Sequence, residues 1–236
     1  MTTTLENLLP QLEPMKRAQR HAVEVGEVPM PQAEAYLDNE LLGTLFLGSG
    51  MPEHDHEKAF QQVLAFLSVV YPIDCAVFGT DSWYAEFGDI TKEQMLAGMR
   101  PSDMAKPKEA LAYYVQLPET MATVHLPYTR TKASGIVWQE EKVQDWSDNP
   151  DVTREGIVPT YLAAGVKGPS SEVTWTEKAI LLLTLGGLGN AFYMPKRFFK
   201  ELRAHVPDNL GRELDNQFEL ADTEDFLRSI FDREEE

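Results

Sequence analysis

Apolar positions along this chain follow two periods, and they divide it into helical and extended regions. Phe60, Val63, Leu64, Leu67, Val70 and Tyr71 recur at spacings of three and four, one buried face of a helix that starts at Pro52 and is closed by Pro72. A second helix is predicted from Pro14 to Val25, with Gly26 as its stop and Pro10 barring a regular helix before it. Residues 36–47, YLDNELLGTLFL, are ambiguous between helix and strand. From Cys75 the pattern turns extended and rich in aromatic and β-branched residues. Strands are predicted over 75–87, 110–117, 120–130 and 135–143, with a short Thr91-capped helix over 90–98. The joints Pro118-Glu-Thr and Lys132-Ala-Ser-Gly135 are short, and short joints make antiparallel neighbours.

After a polar stretch over 145–172, with a short helix near Tyr161, Thr174-Trp-Thr-Glu177 matches a capping box. It opens a helix that is apolar on all sides through Leu185. Pro195 opens the next helix, with Phe198, Phe199, Leu202 and Val206 on one face. Leu210, Leu214 and Phe218 form a further stripe, and Thr223 caps a last helix burying Phe226, Leu227, Ile230 and Phe231. The expected architecture is α+β: an antiparallel sheet of about four strands, a meander, packed on one face with N-terminal and C-terminal helices. The expectation is one domain, 1–236, with helical parts at 14–72 and 173–231 around a sheet at 73–145.

The charge changes the picture more than the length does. The formal net charge of −17 argues against generic binding to nucleic acid or anionic membranes, which takes clustered Lys and Arg. It suits solubility or a basic partner surface. Residues 212–236 hold ten acidic and three basic side chains. The single cysteine, Cys75, excludes an intramolecular disulfide and a Cys-based zinc site. The start of the chain has no basic, then apolar, leader pattern, and no apolar run is long enough to span a bilayer. The expectation is a soluble, cytoplasmic protein with no cofactor.

Candidate chemistry is sparse. His54 and His56 sit in MPEHDHEKAF among carboxylates. Two helical residues two apart point about 200° apart and cannot grip one ion, so the stretch reads as the acidic first turn of a helix; only an extended backbone would make a metal pair of them. Leu185-Gly-Gly-Leu-Gly-Asn190 ends a helix rather than opening one, so it reads as a terminus, not a phosphate loop. His125 is a candidate acid–base group with Asp81, Asp103 or Asp145 as partner. Ser82 and Ser134 match no nucleophile elbow. The aromatics Trp83, Tyr84, Tyr114 and Trp138 gather on the sheet, and adjacent pairs such as Tyr113-Tyr114 face opposite sides.

Ser82-Trp83-Tyr84, the loop Met99-Arg-Pro-Ser-Asp103 and the strand Ala110 to Leu117 occur in an order that resembles a group of small uncharacterised proteins of bacterial and phage genomes. The resemblance covers residues 75–140. It departs at Met104-Ala-Lys-Pro-Lys108, where the group carries further His, Pro and Arg residues. It implies an accessory or phage gene, with a host-cytoplasmic product in the latter case, and carries over no activity.

Together these features suggest a non-enzymatic, acidic accessory or regulatory protein that binds a basic protein partner; a phage-encoded inhibitor of a host or defence protein is one version. The expected contacts are Trp83, Tyr84, Tyr114 and Trp138, with Glu213, Asp215, Glu219, Asp222, Glu224 and Asp225 of the acidic C-terminal helices. The alternatives are a structural subunit of a virion or homo-oligomer, and a hydrolase-type enzyme using histidine and carboxylates.

Overall fold

The computed structural model describes residues 3–48, 56–84, 108–131, 135–146 and 157–217, with single positions between 91 and 104. Helix α1 (Leu5–Leu8) is capped by Thr4, whose hydroxyl accepts from the Asn7 N–H. A 3-10 turn over Leu9–Leu12 takes up Pro10 and leads into α2 (Glu13–Glu24), with Pro14 in its first turn. Gly26 ends α2 in the left-handed region, φ +83°.

The ambiguous 36–47 stretch is a hairpin of β1 (Gln32–Leu37) and β2 (Glu40–Phe46). Its two-residue turn, Asp38-Asn39, has φ of 54° and 65°, the left-handed geometry that matches strand twist and that Asp and Asn tolerate best after glycine. Asp74 locks this turn. Its carboxylate accepts from the Asp38 N–H at 3.1 Å and the Thr3 N–H at 2.8 Å, while Thr3 Oγ1 accepts from the Asn39 N–H at 2.9 Å.

Helix α3 (His56–Val70) then crosses the sheet to β3 (Cys75–Tyr84), which is followed by β4 (Lys108–Gln116), β5 (Met121–Thr131), β6 (Gly135–Trp138) and β7 (Lys142–Asp145). The rest is α4 (Ile157–Lys167), α5 (Trp175–Gly187), β8 (Ala191–Tyr193), α6 (Lys196–His205) and α7 (Asp208–Gln217). Among the described residues the sheet is antiparallel but has eight strands, in the order β6-β5-β4-β3-β1-β2-β8, with β7 also on β5. The expectation of about four strands is therefore corrected. The β1–β2 hairpin and β8 extend the meander beyond β3, and the last meander strand is split in two. Pro127 of β5 explains the split. Its carbonyl accepts from the Gln139 N–H, so its own missing N–H faces the same neighbour, and the ladder breaks there between Trp138 and Lys142.

Helices cover both faces, not one. On the first face, α3 to α7 pack over Ala33, Ala35, Ala76 and Phe78, with Phe60 and Phe78 rings 4.9 Å apart. Gly165 of α4 lets that helix lie against α3, where a Cβ would fall 2.2 Å from a Leu67 methyl. On the second face, α1 and α2 bury Tyr36, Val77, Tyr113, Val115 and Val124. Gly79 makes room there, because a Cβ would meet Met15 Sδ at 2.6 Å. Among the described residues no helix is long and apolar enough to cross a membrane.

Candidate functional site

The α2 face continues to the end of the sheet made by β3, β4, β5 and β6, where the last turns of α2 reach Trp138 of β6. Cross-strand register places Asp81 and Trp83 of β3, Glu109 of β4, Tyr128 of β5 and Trp138 of β6 on this one face. Trp83 lies directly opposite Glu109 and is 45% exposed, the largest exposed aromatic among the described residues. Tyr128 is buried. Its hydroxyl donates to the Asp81 carboxylate, 2.9 Å from Oδ1, and accepts from Arg130 Nη2 at 3.2 Å. Arg130 also pairs with Glu109 at 3.3 Å, and its guanidinium lies over the Tyr128 ring, 5.3 Å from the centroid. Burial raises the Asp81 pKa, and the hydrogen bond from Tyr128 works the other way. Trp138 is half-buried. Its indole N–H donates to Glu24 Oε1 at 2.7 Å, its ring meets Tyr128 at 5.1 Å, and Arg20 approaches its face at 6.0 Å. The result is an indole left open to solvent beside fixed carboxylates.

The structure divides the four aromatics proposed as one surface. Trp83 and Trp138 share the α2 face. Tyr84 and Tyr114 project from the opposite face, Tyr114 against the core there and Tyr84 stacked on His125 at 5.7 Å. His125 is separated from two of its proposed partners, because Asp81 and Asp145 project from the face opposite to it. Burial, then Lys142 beside it, lowers the His125 pKa and favours the neutral ring. Of the acidic C-terminal set, Glu213 and Asp215 are exposed on α7, and Asp215 pairs with Arg203 at 3.1 Å. Glu219, Asp222, Glu224 and Asp225 lie outside the described residues, as do His54 and Ser134. His56 is exposed at the first position of α3. Among the described residues no three His, Cys, Asp or Glu are grouped to hold a metal ion. The glycine run ends α5 at Gly187, and Asn190 ties that end to β2 by accepting from the Gly48 N–H.

A second group was hidden from the sequence. Gln32, Glu34 and Tyr36 alternate with alanines, yet all three are buried, Tyr36 in a cluster with Leu8 of α1 and Met15 of α2. Glu34 is 7% exposed and accepts a hydrogen bond from the Tyr36 hydroxyl; burial pushes its pKa up to about 7. Burial likewise raises Tyr36, Tyr113 and the Cys75 thiol, so all three stay neutral. Lys16, 2% exposed, is held between Glu13 at 3.0 Å and Glu141 at 2.8 Å, which fastens α2 to the segment joining β6 and β7. This network ties α2 to the sheet; Lys16 and Glu34 are buried within it, while Glu13 and Glu141 reach solvent. Compared with known protein families, curated proteins and solved structures, the chain matches none.

Proposed function

We propose that this protein is a non-enzymatic binding protein that docks a basic protein surface on the far end of the α2 face. One observation carries the reading: Trp83 is 45% exposed directly across from Glu109. An indole face attracts a guanidinium or ammonium through its quadrupole, and a carboxylate beside it completes the seat for one Arg or Lys. Tryptophan at a well-framed site is also the residue type that most often anchors a protein interface. The Asp81–Tyr128–Arg130–Glu109 chain fixes the surroundings of that seat in advance, which lowers the ordering cost of binding. The net charge of −17 adds long-range attraction for a basic partner.

The test is capture of partners from the protein's own cellular background with wild-type, Trp83→Ala and Glu109→Gln baits, each washed at low and high salt. A stoichiometric basic partner, held by wild type, shed at high salt and lost from Trp83→Ala, is the expected result. Equal retention by all three baits refutes this surface. A second reading, a homo-oligomeric subunit, draws on the open β6–β7 edge, where Val137 and Val143 are 43% and 45% exposed. A concentration-independent monomer in sizing rules that reading out.

A further inference from the structure

On the side of the sheet opposite α2, helices α3 and α5 line an open cavity of about 510 Å³. Its α3 wall is the stripe Gln61, Leu64, Ala65 and Ser68, and its α5 wall is Glu177, Ile180 and Leu181. Both are i, i+3, i+4 sets, so each helix turns one continuous flank to the space. The 171–173 segment forms its end, with Glu172 and Val173. The floor is aliphatic, and Ile180 is 50% exposed although it is a large apolar side chain. Among the described residues, the charged lining groups are the carboxylates Glu172 and Glu177. Glu177 stays ionised, because the Thr174 backbone N–H and hydroxyl donate to it and lower its pKa. A neighbouring cavity of about 520 Å³ shares Ser68 and residues 171–173, and carries Lys178. That ammonium lies 5.0 Å over the Trp175 ring and 3.4 Å from the Tyr71 carbonyl, and it also feels the Glu172 carboxylate.

From this we infer that the α3–α5 cavity is a second binding site, for a peptide segment that carries an aliphatic side chain flanked by Lys or Arg. The aliphatic group fills the space over Leu64, Ile180 and Leu181, and the flanking cations meet Glu172 and Glu177 at the rim. An acidic peptide is disfavoured by the same two carboxylates, and a purely polar one leaves the apolar floor wet. This site is separate from the Trp83 seat, and its occupancy does not depend on it.

The test is methyl NMR on the full chain, titrated with a ten-residue alternating Lys-Leu peptide and with Glu-Leu and Lys-Ser peptides of equal length. Saturable shifts at the Leu64, Ile180 and Leu181 methyls with Lys-Leu alone are expected. They should weaken by about tenfold with Glu172→Lys or in high salt, and vanish with Ile180→Asp, a change at an exposed position that leaves the fold intact. Trp83→Ala should leave them unchanged, so failure here and failure of the Trp83 surface are read separately. Equal binding of Glu-Leu overturns the charge argument, and equal binding of Lys-Ser overturns the aliphatic anchor. No saturable shift with Lys-Leu at about 1 mM overturns the site altogether.

Discussion

Glu34 makes the stability of this protein fall as pH rises from the carboxylate range toward neutrality. In the folded state its carboxyl is buried beneath α2 with a pKa of about 7, against 4.5 when unfolded. A raised folded pKa means the native state binds the extra proton, so its contribution is fully present below about pH 4.5 and is lost as pH climbs to about 7. The shift from 4.5 to about 7, at about 1.4 kcal/mol per pH unit, amounts to about 3 kcal/mol. Glu34→Gln keeps the shape and an acceptor for Tyr36 but cannot ionise. Urea unfolding followed by far-ultraviolet circular dichroism, from pH 5 to pH 8.5, should show wild type losing roughly 2–3 kcal/mol relative to the variant, part of the change already lying below pH 5. Tyr36, Tyr113 and Cys75 are raised above their ordinary values and stay neutral throughout. His125, with its lowered pKa, gives the opposite slope below its ordinary 6.5, but equally in both proteins, so it cancels in the difference. Parallel curves for the two proteins would refute the reasoning.

Two further changes test the local anchors. Asp74→Ala removes the acceptor shared by the Thr3 and Asp38 amides, and should cost about 2–3 kcal/mol and speed hydrogen exchange at Asp38; unaltered exchange there would show that the turn holds itself. Thr174→Ala breaks the capping box of α5 and should lower the urea midpoint by the equivalent of about 1 kcal/mol with an unchanged slope; an unchanged midpoint would mean that tertiary packing alone sets the start of that helix.

What the sequence determined by itself was local and periodic. The stop of α2 at Gly26, the Phe60, Val63, Leu67 and Val70 face of α3 and the capping box of α5 each depend on residues within a few positions of one another, whereas Leu64 and Tyr71, read onto the same α3 face, are half-buried and exposed. The β3-β4-β5 meander was also legible in outline, because it is joined in chain order and its strands alternate. The turn Asp38-Asn39 was a usable signal for the first hairpin, but the apolar run around it masked the alternation. Strand order was not legible: α3 carries the chain over the sheet and sets β3 against β1, a choice that no residue near β3 encodes. Nor was the second covered face. Alternation says that Tyr113 and Tyr114 point opposite ways and that Glu34 opposes Ala33 and Ala35. It cannot say which sides of the sheet receive helices. Only when α2 packs on the Tyr113 side does Glu34 become a buried acid, and only where α2 ends does Trp83 remain open beside Glu109. Side-chain direction is fixed by the backbone within a strand, whereas burial and proximity are fixed by what the rest of the chain lays against it.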